Sequence, residues 1–480
     1  MNPTAYAGLF LALLPEASLA AGALLLLGLD LSLFRHRDPA LRLRLALWTG
    51  AIAVVAAAVA AWLGPRGSVW GASFSLDNLA VATQVGVLAL TLFALGAVRG
   101  APTPRQPAEY VAVMLFAATG LVLMAAAQQL LLVFLSLELA SLSLYVIAGF
   151  EARRPESTEA ALKYFLFGGI SAAFLLFGFS LIYGVTGSLE LPAIAAKLAG
   201  GGATPPFLLA LAMVLVAFGF KTAAAPFHLW APDVYQGAPA PSAALISSAS
   251  KLAGFVLFTR LLWSAAGAAQ APAWFPTVAA ISAASLLLGN LAALAQTNLR
   301  RLLAYSAIGH SGAMLLGVMA AGRFGPAPLF YYAFTYGLAV VGAFGVIGVV
   351  DRAGGCESIA DLAGLHKRSP LLAGCLAVFV LSLAGIPPLA GFFGKLSVFS
   401  AALRLGGVAG PAGLLSILAI ALSAVALYYY LIVLKQALVA GPVPGARPIK
   451  VPFATALALL GSAALIVWFG LDPNQLLGVF

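Results

Sequence analysis

The stretch FGFKTAAAPFHLWAPDVYQGAP, residues 218–239, places a lysine after an apolar run and then prolines at positions 226, 232 and 239. Proline ends or kinks a helix because it lacks the backbone N–H that would donate to the carbonyl four residues earlier, and its ring clashes with that carbonyl. Lys221 is unexpected there, since only 8% of the 480 residues are charged. The stretch therefore predicts a broken helix with a charged side chain beside the break.

The composition indicates a membrane protein, because 62% of the residues are hydrophobic. Apolar runs of about 20 residues recur between short loops rich in Gly, Pro and Arg, which is the pattern of spanning helices and not of barrel strands. We expect an all-α polytopic protein whose first run is retained as a span. Cys356 and Cys375 form no disulfide or metal-binding motif.

About fourteen spans are predicted from the apolar runs. They lie near residues 9–29, 43–63, 76–97, 109–127, 129–150, 160–184, 206–227, 239–264, 272–295, 302–321, 327–350, 371–405, 411–436 and 451–470.

The orientation follows from the loops that carry basic residues. With the N-terminus outside, the outer side holds only Arg66, Lys197, Arg260, Arg323 and Arg404. The inner side holds Arg35, Arg37, Arg42, Arg44, Arg99, Arg105, Arg153, Arg154, Arg300, Arg301, Arg352, Lys367, Arg368, Lys435, Arg447 and Lys450. The positive-inside rule therefore predicts both termini on the outer side, and membrane orientation accounts for the net charge of +10 better than nucleic-acid binding does.

Three charges fall near mid-membrane. Glu138, Lys221 and Lys251 lie about 14, 20 and 18 Å into their spans at 1.5 Å per residue. Each costs on the order of 2.5–3.5 kcal/mol on insertion scales, so pairing, a hydrated cavity or an ion path must compensate. Glu138 and Lys221 can form a packing ion pair, a functional pair or both. Lys251 has no obvious acidic partner, and burial of an unpaired amine favours its neutral form, which makes it a candidate proton relay.

Three further residues have weaker signals. Lys163 lies about one turn inside its span, where its side chain can snorkel to the headgroups or take part in a polar path. His228 follows the first proline of the opening stretch, and His310 lies in the tenth span. A histidine can carry protons near neutral pH, but it can also be a packing residue.

A second predicted break contains a lysine too. AGIPPLAGFFGK, residues 384–395, interrupts the long twelfth run just before Lys395. We divide the chain into helices 1–3 (1–108), two five-helix groups (109–264 and 265–436) and a last helix with a tail (437–480). Five is odd, so the second group is inverted, and broken helices 7 and 12 occupy matching positions, as at transporter ion sites. Simple proline kinks are the alternative.

Five stretches together resemble the N-subunit family of the proton-pumping NADH:quinone oxidoreductases, respiratory complex I. They are LLVFLSLELASLSLYVIAGF (131–150), ESTEAALKYFLFGGISAAFLLFGFSLIYGVTGS (156–188), FKTAAAPFHLWAPDVYQGAPAP (220–241), QTNLRRLLAYSAIGHSGAMLLG (296–317) and SLAGIPPLAGFFGKLSVF (382–399). The resemblance covers most of residues 9–470. It implies an antiporter-like membrane-arm subunit, related to Mrp-type cation/proton antiporter subunits.

The resemblance also implies roles for particular residues. The family's proton-channel positions match Glu138, Lys221, Lys251 and Lys395. Lys163 and His228 stand where the family has polar residues along the channel. Lysine at position 395, where the M subunit has glutamate, and the lack of the long C-terminal arm of the L subunit favour the N subunit.

The sequence has no cysteine cluster, Gly-rich dinucleotide turn or axial haem pair, so we expect neither a cofactor nor a metal in this chain. The resemblance implies FMN, iron–sulfur clusters and quinone in partner subunits of the membrane and peripheral arms. It places the protein, surrounded by lipid, in the bacterial inner membrane. The alternatives are an Mrp-type antiporter subunit exchanging Na⁺ or K⁺ for protons, and a structural module of the membrane arm.

Overall fold

A computed structural model of the protein describes residues 3–71, 73–200, 204–442 and 446–480. The described chain is almost entirely helical, which confirms the predicted all-α class. Thirteen of its helices are long and apolar enough to cross a membrane. A further crossing consists of two shorter helices separated by a break, which brings the total to the fourteen that we expected.

The membrane helices are numbered 1 to 14 in chain order. Their bounds are Leu14–Leu29 (helix 1, preceded by Pro3–Ala12 and continued by the π-helical Asp30–Phe34), Pro39–Leu63, Asn78–Val98, Pro107–Ala126, Leu130–Ala148, Pro155–Thr186, Pro205–Thr222 with Trp230–Gly237 (helices 7a and 7b), Ala240–Ser247 with Ala249–Arg260 (helix 8, continued by the π-helical Leu261–Ala266), Ala271–Leu294, Leu299–Phe324, Ala327–Gly354, Pro370–Ala384 with Ala390–Gly406 (helices 12a and 12b), Pro411–Leu438 and Phe453–Leu471.

Short elements lie between these helices. Strands β1 (Gly67–Val69) and β2 (Phe74–Leu76) form an antiparallel hairpin before helix 3. The short helical segments are Leu191–Ala199, Ala268–Gln270, Ile359–Leu362, Leu365–Arg368 and Asn474–Leu477. The apolar runs in the sequence predict none of them, because these segments are too short to span a membrane.

The connecting segments gather on two opposite faces. On one face, Asn298 forms a β-bridge with Ser358, and the amide of Ile449 donates to the carbonyl of Arg368 at 2.9 Å. These residues follow helices 9, 11 and 13. On the other face, bridges join the segments that follow helices 2, 4 and 6, through Phe74–Ala127 and Gln129–Glu190. The alternation is that of a chain crossing the same layer fourteen times.

The helices differ in how much of their surface other helices cover. The spanning segments of helices 8 and 11 are completely buried within the chain, and helix 10 is almost so. Helices 1, 2, 6 and 14 instead expose most of their apolar side chains. Because lipid tails are as apolar as leucine, such faces are stable in a bilayer. Helices 8, 10 and 11 therefore form the interior in which polar groups can be shielded from lipid.

Helices 7 and 12 are interrupted, as the sequence predicts. Helix 7a ends where Ala223 adopts φ +55°, and helix 12a ends where Gly385 adopts φ +86°. Left-handed residues of this kind commonly terminate helices. The peptide bonds before Pro226 and Pro388 are cis.

Neighbouring helices pack against both breaks. The amide of Ala225 donates to Ser285 Oγ of helix 9 at 2.8 Å. Gly470 of helix 14 crosses the other break so closely that a Cβ there would lie 2.0 Å from the carbonyl oxygen of Pro388. The non-helical backbone is thus supported by protein, as it must be at membrane depth.

The two faces allow a direct test of the predicted orientation. Cys356 and Cys375 are free and buried, so replacing both with serine gives a background for thiol labelling. We expect Ala152→Cys and Thr297→Cys, both exposed on the face rich in arginine, to be shielded from an impermeant thiol reagent added outside right-side-out cells. Ser68→Cys, on the outer hairpin, is the matched control and should be labelled. Labelling of the cysteines at positions 152 and 297 from outside would show that the predicted topology is wrong.

Candidate functional site

Three lysines predicted to be buried, Lys221, Lys251 and Lys395, are buried in the structure. In the described part of the chain none of them makes an ion pair. Their ammonium groups instead contact hydroxyl and carbonyl oxygens. The site is therefore a set of buried amines held by neutral hydroxyl and carbonyl groups.

Lys221 lies in the last turn of helix 7a. Its Nζ donates to Ser141 Oγ of helix 5 at 3.4 Å. Glu138 is one turn before Ser141 on the same helix, and its Oε1 has no hydrogen-bond partner among the described residues. A direct ion pair between Glu138 and Lys221 is thus not formed. The two charges face the same polar region of helix 5 and interact across a gap.

Lys251 is held at a junction of three helices. Helix 8 kinks at Ser248, and Lys251 Nζ then donates to the carbonyl of Ala307 at 2.7 Å and to Ser311 Oγ at 2.8 Å, both on helix 10. Ser311 Oγ donates onward to the carbonyl of Thr222 at 2.6 Å. Lys251 is therefore linked through one hydroxyl to the end of helix 7a. This explains how a lysine without an acidic partner is accommodated.

Lys395 is the corresponding group at the second break. Its Nζ donates to the carbonyl of Ala384, the last residue of helix 12a, at 2.9 Å. Beside it is a cavity of about 20 Å³ that is also lined by Asn290, His310 and Tyr332. That volume is large enough for about one water molecule, and the polar lining can hold one.

His310 occupies the space between Lys251 and Lys395. It precedes Ser311 on helix 10, its Nδ1 lies 2.7 Å from Tyr332 Oη, and its Nε2 lies 3.2 Å from Tyr430 Oη. Tyr430 in turn contacts the hydroxyl of Ser306. The sequence singled out His310 as a possible proton carrier, but not these partners. Hydroxyl-bearing residues in apolar helices carry no charge signal, so only the packing identifies them.

Helix ends account for the position of two of the lysines. Carbonyls in the last turn of a helix lack intrahelical partners and form the negative end of its macrodipole. Lys221 is in the last turn of helix 7a, and Lys395 donates to the last carbonyl of helix 12a. The positions match only in part, because Lys221 precedes its break whereas Lys395 follows the other.

The two weaker candidates lie close to helix 7b. Lys163 contacts Asp233 at 2.5 Å and Glu159 at 2.7 Å, so its ammonium is held by carboxylates and does not snorkel freely to the headgroups. His228 is buried within the break of helix 7. Its Nδ1 has no hydrogen-bond partner in the described part of the chain. Lys163 is thus held against helix 7b by Asp233, and His228 lies in the break just before that helix.

The described residues contain no group of three or more His, Cys, Asp and Glu side chains that could hold a metal ion. Their amines, imidazoles, carboxyls and hydroxyls are groups that can exchange protons.

Comparison with known proteins gives consistent results. Residues 127–422 match the family model described as "NADH:quinone oxidoreductase/Mrp antiporter, TM". NADH-quinone oxidoreductase subunit N 2 of Acidobacterium capsulatum is 46% identical over 99% of both chains. Subunit N 1 of Roseiflexus castenholzii is 40% identical over 86% of this chain and 81% of its own length.

Solved structures share the fold. A chain of respiratory complex I from Thermus thermophilus with bound aureothin superposes with a TM-score of 0.78 and 35% identity, covering 97% of this chain and 98% of that one. A chain of the Mrp complex from Dietzia sp. superposes with a TM-score of 0.82 at 22% identity, over 97% and 95% of the two chains. At that identity the second match establishes only that the architecture is shared.

Proposed function

The chain belongs to the NADH:quinone oxidoreductase/Mrp antiporter family, and on that premise we propose that it is the proton-translocating N subunit of a bacterial NADH:quinone oxidoreductase. It moves protons outward, driven by redox chemistry in partner subunits. Relatives that are similar over nearly their full length bear the name of this subunit. The observation that carries the proposal is the row of buried lysines, each held by neutral oxygens and not by a carboxylate.

Proton uptake from the cytoplasm is assigned to the first half of the chain. Lys221 lies about 24 Å from the outer end of helix 7a at 1.5 Å per residue, which places it toward the cytoplasmic side. Helix 7b, with Lys163 and His228 beside it, leads from there to the cytoplasmic face. Glu138, with a carboxylate oxygen that lacks a partner, modulates the charge of Lys221 across the gap between them. These residues form the proposed uptake path.

Transfer and release are assigned to the second half. Lys251 is the central station, because Ser311 connects it to the end of helix 7a and His310 is next to Ser311. Lys395 lies about 17 Å from the outer end of helix 12b and beside a cavity that can hold water. A charge arriving on one lysine raises the energy of the next protonated lysine, and this repulsion is strong where the dielectric constant is low. The proton on Lys395 is then released to the outside.

The two halves correspond to the predicted groups 109–264 and 265–436, flanked by 1–108 and 437–480. With broken helices 7 and 12 as the fourth member of each group, inversion places Lys221 nearer the inside and Lys395 nearer the outside. We propose this inverted arrangement as the reason that one chain has both an uptake and a release path.

The remaining parts of the enzyme belong to partner subunits. FMN, iron–sulfur clusters and quinone are assigned to other membrane-arm and peripheral-arm subunits, and no redox step to this chain. The protein spans the bacterial inner membrane many times, and both termini are proposed to face the periplasm because the basic residues gather on the opposite face.

Two other functions are distinguishable by experiment. An Mrp-type subunit would exchange Na⁺ or K⁺ for protons without NADH, and the shared architecture with the Mrp chain makes this the second candidate. If the chain co-purifies in mild detergent with a soluble redox assembly, that result supports the oxidoreductase function. A structural module of the membrane arm would tolerate neutralisation of Lys221 without any loss of pumping.

The first functional prediction concerns Glu138 and Lys221. Lys221 approaches helix 5 one turn from Glu138, so we expect Glu138→Gln and Lys221→Ala each to reduce proton release. The double variant should lose no more proton release than the worse of the two single variants. Groups in one network couple by about 0.5–3 kcal/mol. The measurement is proton release during NADH oxidation by vesicles containing the assembled complex.

Glu190→Gln serves as the matched carboxylate control, since Glu190 lies at the other face, before the short helix Leu191–Ala199. It should pump normally. Strictly additive losses for Glu138→Gln and Lys221→Ala would show that the two groups act independently.

The second functional prediction concerns Lys395. Lys395→Ala should reduce proton translocation, because it removes the amine that contacts the end of helix 12a. Lys395→Glu should impair translocation at least as much, since a carboxylate reverses the charge and is repelled by the negative helix end. Membrane potential or proton release during NADH oxidation is measured, with assembled complex quantified in parallel.

Arg404→Ala changes an exposed basic residue on the same helix and is the control that should retain wild-type pumping. Normal pumping by fully assembled Lys395→Ala would exclude Lys395 from the path. Loss of assembly in both Lys395 variants would instead assign the residue a packing role.

A further inference from the structure

Asp233 of helix 7b binds two basic side chains at once. Its Oδ2 is 2.5 Å from Lys163 Nζ of helix 6, and its Oδ1 is 2.7 Å from Arg301 Nη1 of helix 10. Arg301 Nη1 also donates to Gln236 Oε1, one turn of helix beyond Asp233, at 3.0 Å. Both oxygens of one carboxylate are thus engaged by cations that approach from different helices.

The cluster is balanced in charge and accessible to water. Glu159 Oε1 lies 2.7 Å from Lys163 Nζ, so two acidic and two basic groups are present. At least 29% of each of the four side chains is exposed, which makes each contact weaker and more readily exchanged than a buried pair. Lys163 can therefore leave Asp233 and remain paired with Glu159.

The adjacent residue Arg300 differs in its role. Its side chain is only 3% exposed, and its Nη2 lies 2.7 Å from Asp351 Oδ2. Its Nη1 donates to the carbonyls of Ala238 at 3.1 Å and Gln236 at 3.3 Å. Arg300 thus fixes the backbone at the end of helix 7b. Among the hydrogen bonds of the described residues, those of the Arg301 side chain reach the same helix through the side chains of Asp233 and Gln236, so Arg301 can respond to the state of the carboxylate.

The cluster also joins the two halves of the chain. Lys163 and Asp233 belong to the group 109–264, and Arg301 belongs to the group 265–436. Among the ion pairs of the described residues, Asp233–Arg301 is the one that crosses between these groups. Helix 10 continues from Arg301 to Ser311, which contacts Lys251. One rigid element therefore connects the cluster to the central lysine.

We propose that Asp233 is a positioning residue for proton uptake, holding Lys163 beside helix 7b and keeping Arg301 as its partner when Lys163 turns to Glu159. The exchange leaves no carboxylate of the cluster without a cation, so it does not require a large rearrangement. Because the same carboxylate holds helix 10, the position of Lys163 is linked to the second half. This role rests on the proposed function and assigns Asp233 a part in it.

The test uses the assembled complex in vesicles and measures protons released per NADH oxidised. We expect Asp233→Asn to lower this ratio while the complex stays assembled and oxidises NADH. Asp233→Glu keeps the charge and should restore part of the ratio, a rescue that a purely structural defect would not show. Glu151→Gln is the matched control, because the ion pair of Glu151 is with Arg154 at the same face, and it should behave as wild type.

Combined variants test the mechanism. If Asp233 acts through Lys163, Asp233→Asn with Lys163→Gln should lose no more of the ratio than the worse single variant. Where Asp233→Asn does not assemble, Arg301→Lys replaces it. That change keeps the charge but removes the guanidinium group, whose Nη1 contacts both Asp233 and Gln236, so the ratio should fall.

Three results would overturn the proposal. They are a wild-type ratio in assembled Asp233→Asn or Arg301→Lys, additive losses with Lys163→Gln, and an Asp233→Glu complex that performs no better than the Asn variant. A normal ratio in Asp233→Asn beside a lowered ratio in Lys221→Ala would reject this inference and leave the proposed function in place. Normal ratios in both would reject the two together.

Discussion

A buried ammonium group needs oxygen atoms around it, and the oxygens at the ends of broken helices meet that need here. Most carbonyls of a continuous helix already accept an intrahelical hydrogen bond, although Ala307 of helix 10 also accepts one from Lys251. Where helices 7a and 12a end, carbonyls become available, and Lys395 binds one directly while Lys251 reaches another through Ser311. The breaks and the lysines therefore depend on one another.

Neutral oxygens hold a lysine in a different way than a carboxylate does. A close ion pair would fix the positive charge, whereas carbonyls and hydroxyls stabilise the ammonium without a full counter-charge. The amine can then lose and regain its proton as neighbouring charges change. The described structure has this arrangement at three lysines and reserves carboxylate pairs for the faces, where Asp233 and Asp77 bind arginines. Lysines without a counter-charge and close ion pairs are thus found at different depths.

The fold is shared with a chain of respiratory complex I and with a chain of an Mrp complex. The fold supplies two broken helices, a buried central layer formed by helices 8, 10 and 11, and apolar faces toward lipid. Nothing in that scaffold determines the source of energy. We propose that coupling to electron transfer comes from partner subunits and that the contacts of Asp233 with Lys163 and Arg301 link the two proposed halves.

The sequence alone determined the class, the number of spans and the two breaks, because span length, hydropathy and proline chemistry are local properties. It also singled out Glu138, Lys221, Lys251 and Lys395 as candidates, since charges are rare enough in this chain to be conspicuous. Only the tertiary structure decided what these groups contact. Lys221 contacts Ser141 and not Glu138, and Asp233 bridges residues that lie 70 and 68 positions away. Such contacts depend on how helices pack, and uncharged serines and tyrosines leave no periodic or compositional signal from which that packing can be read.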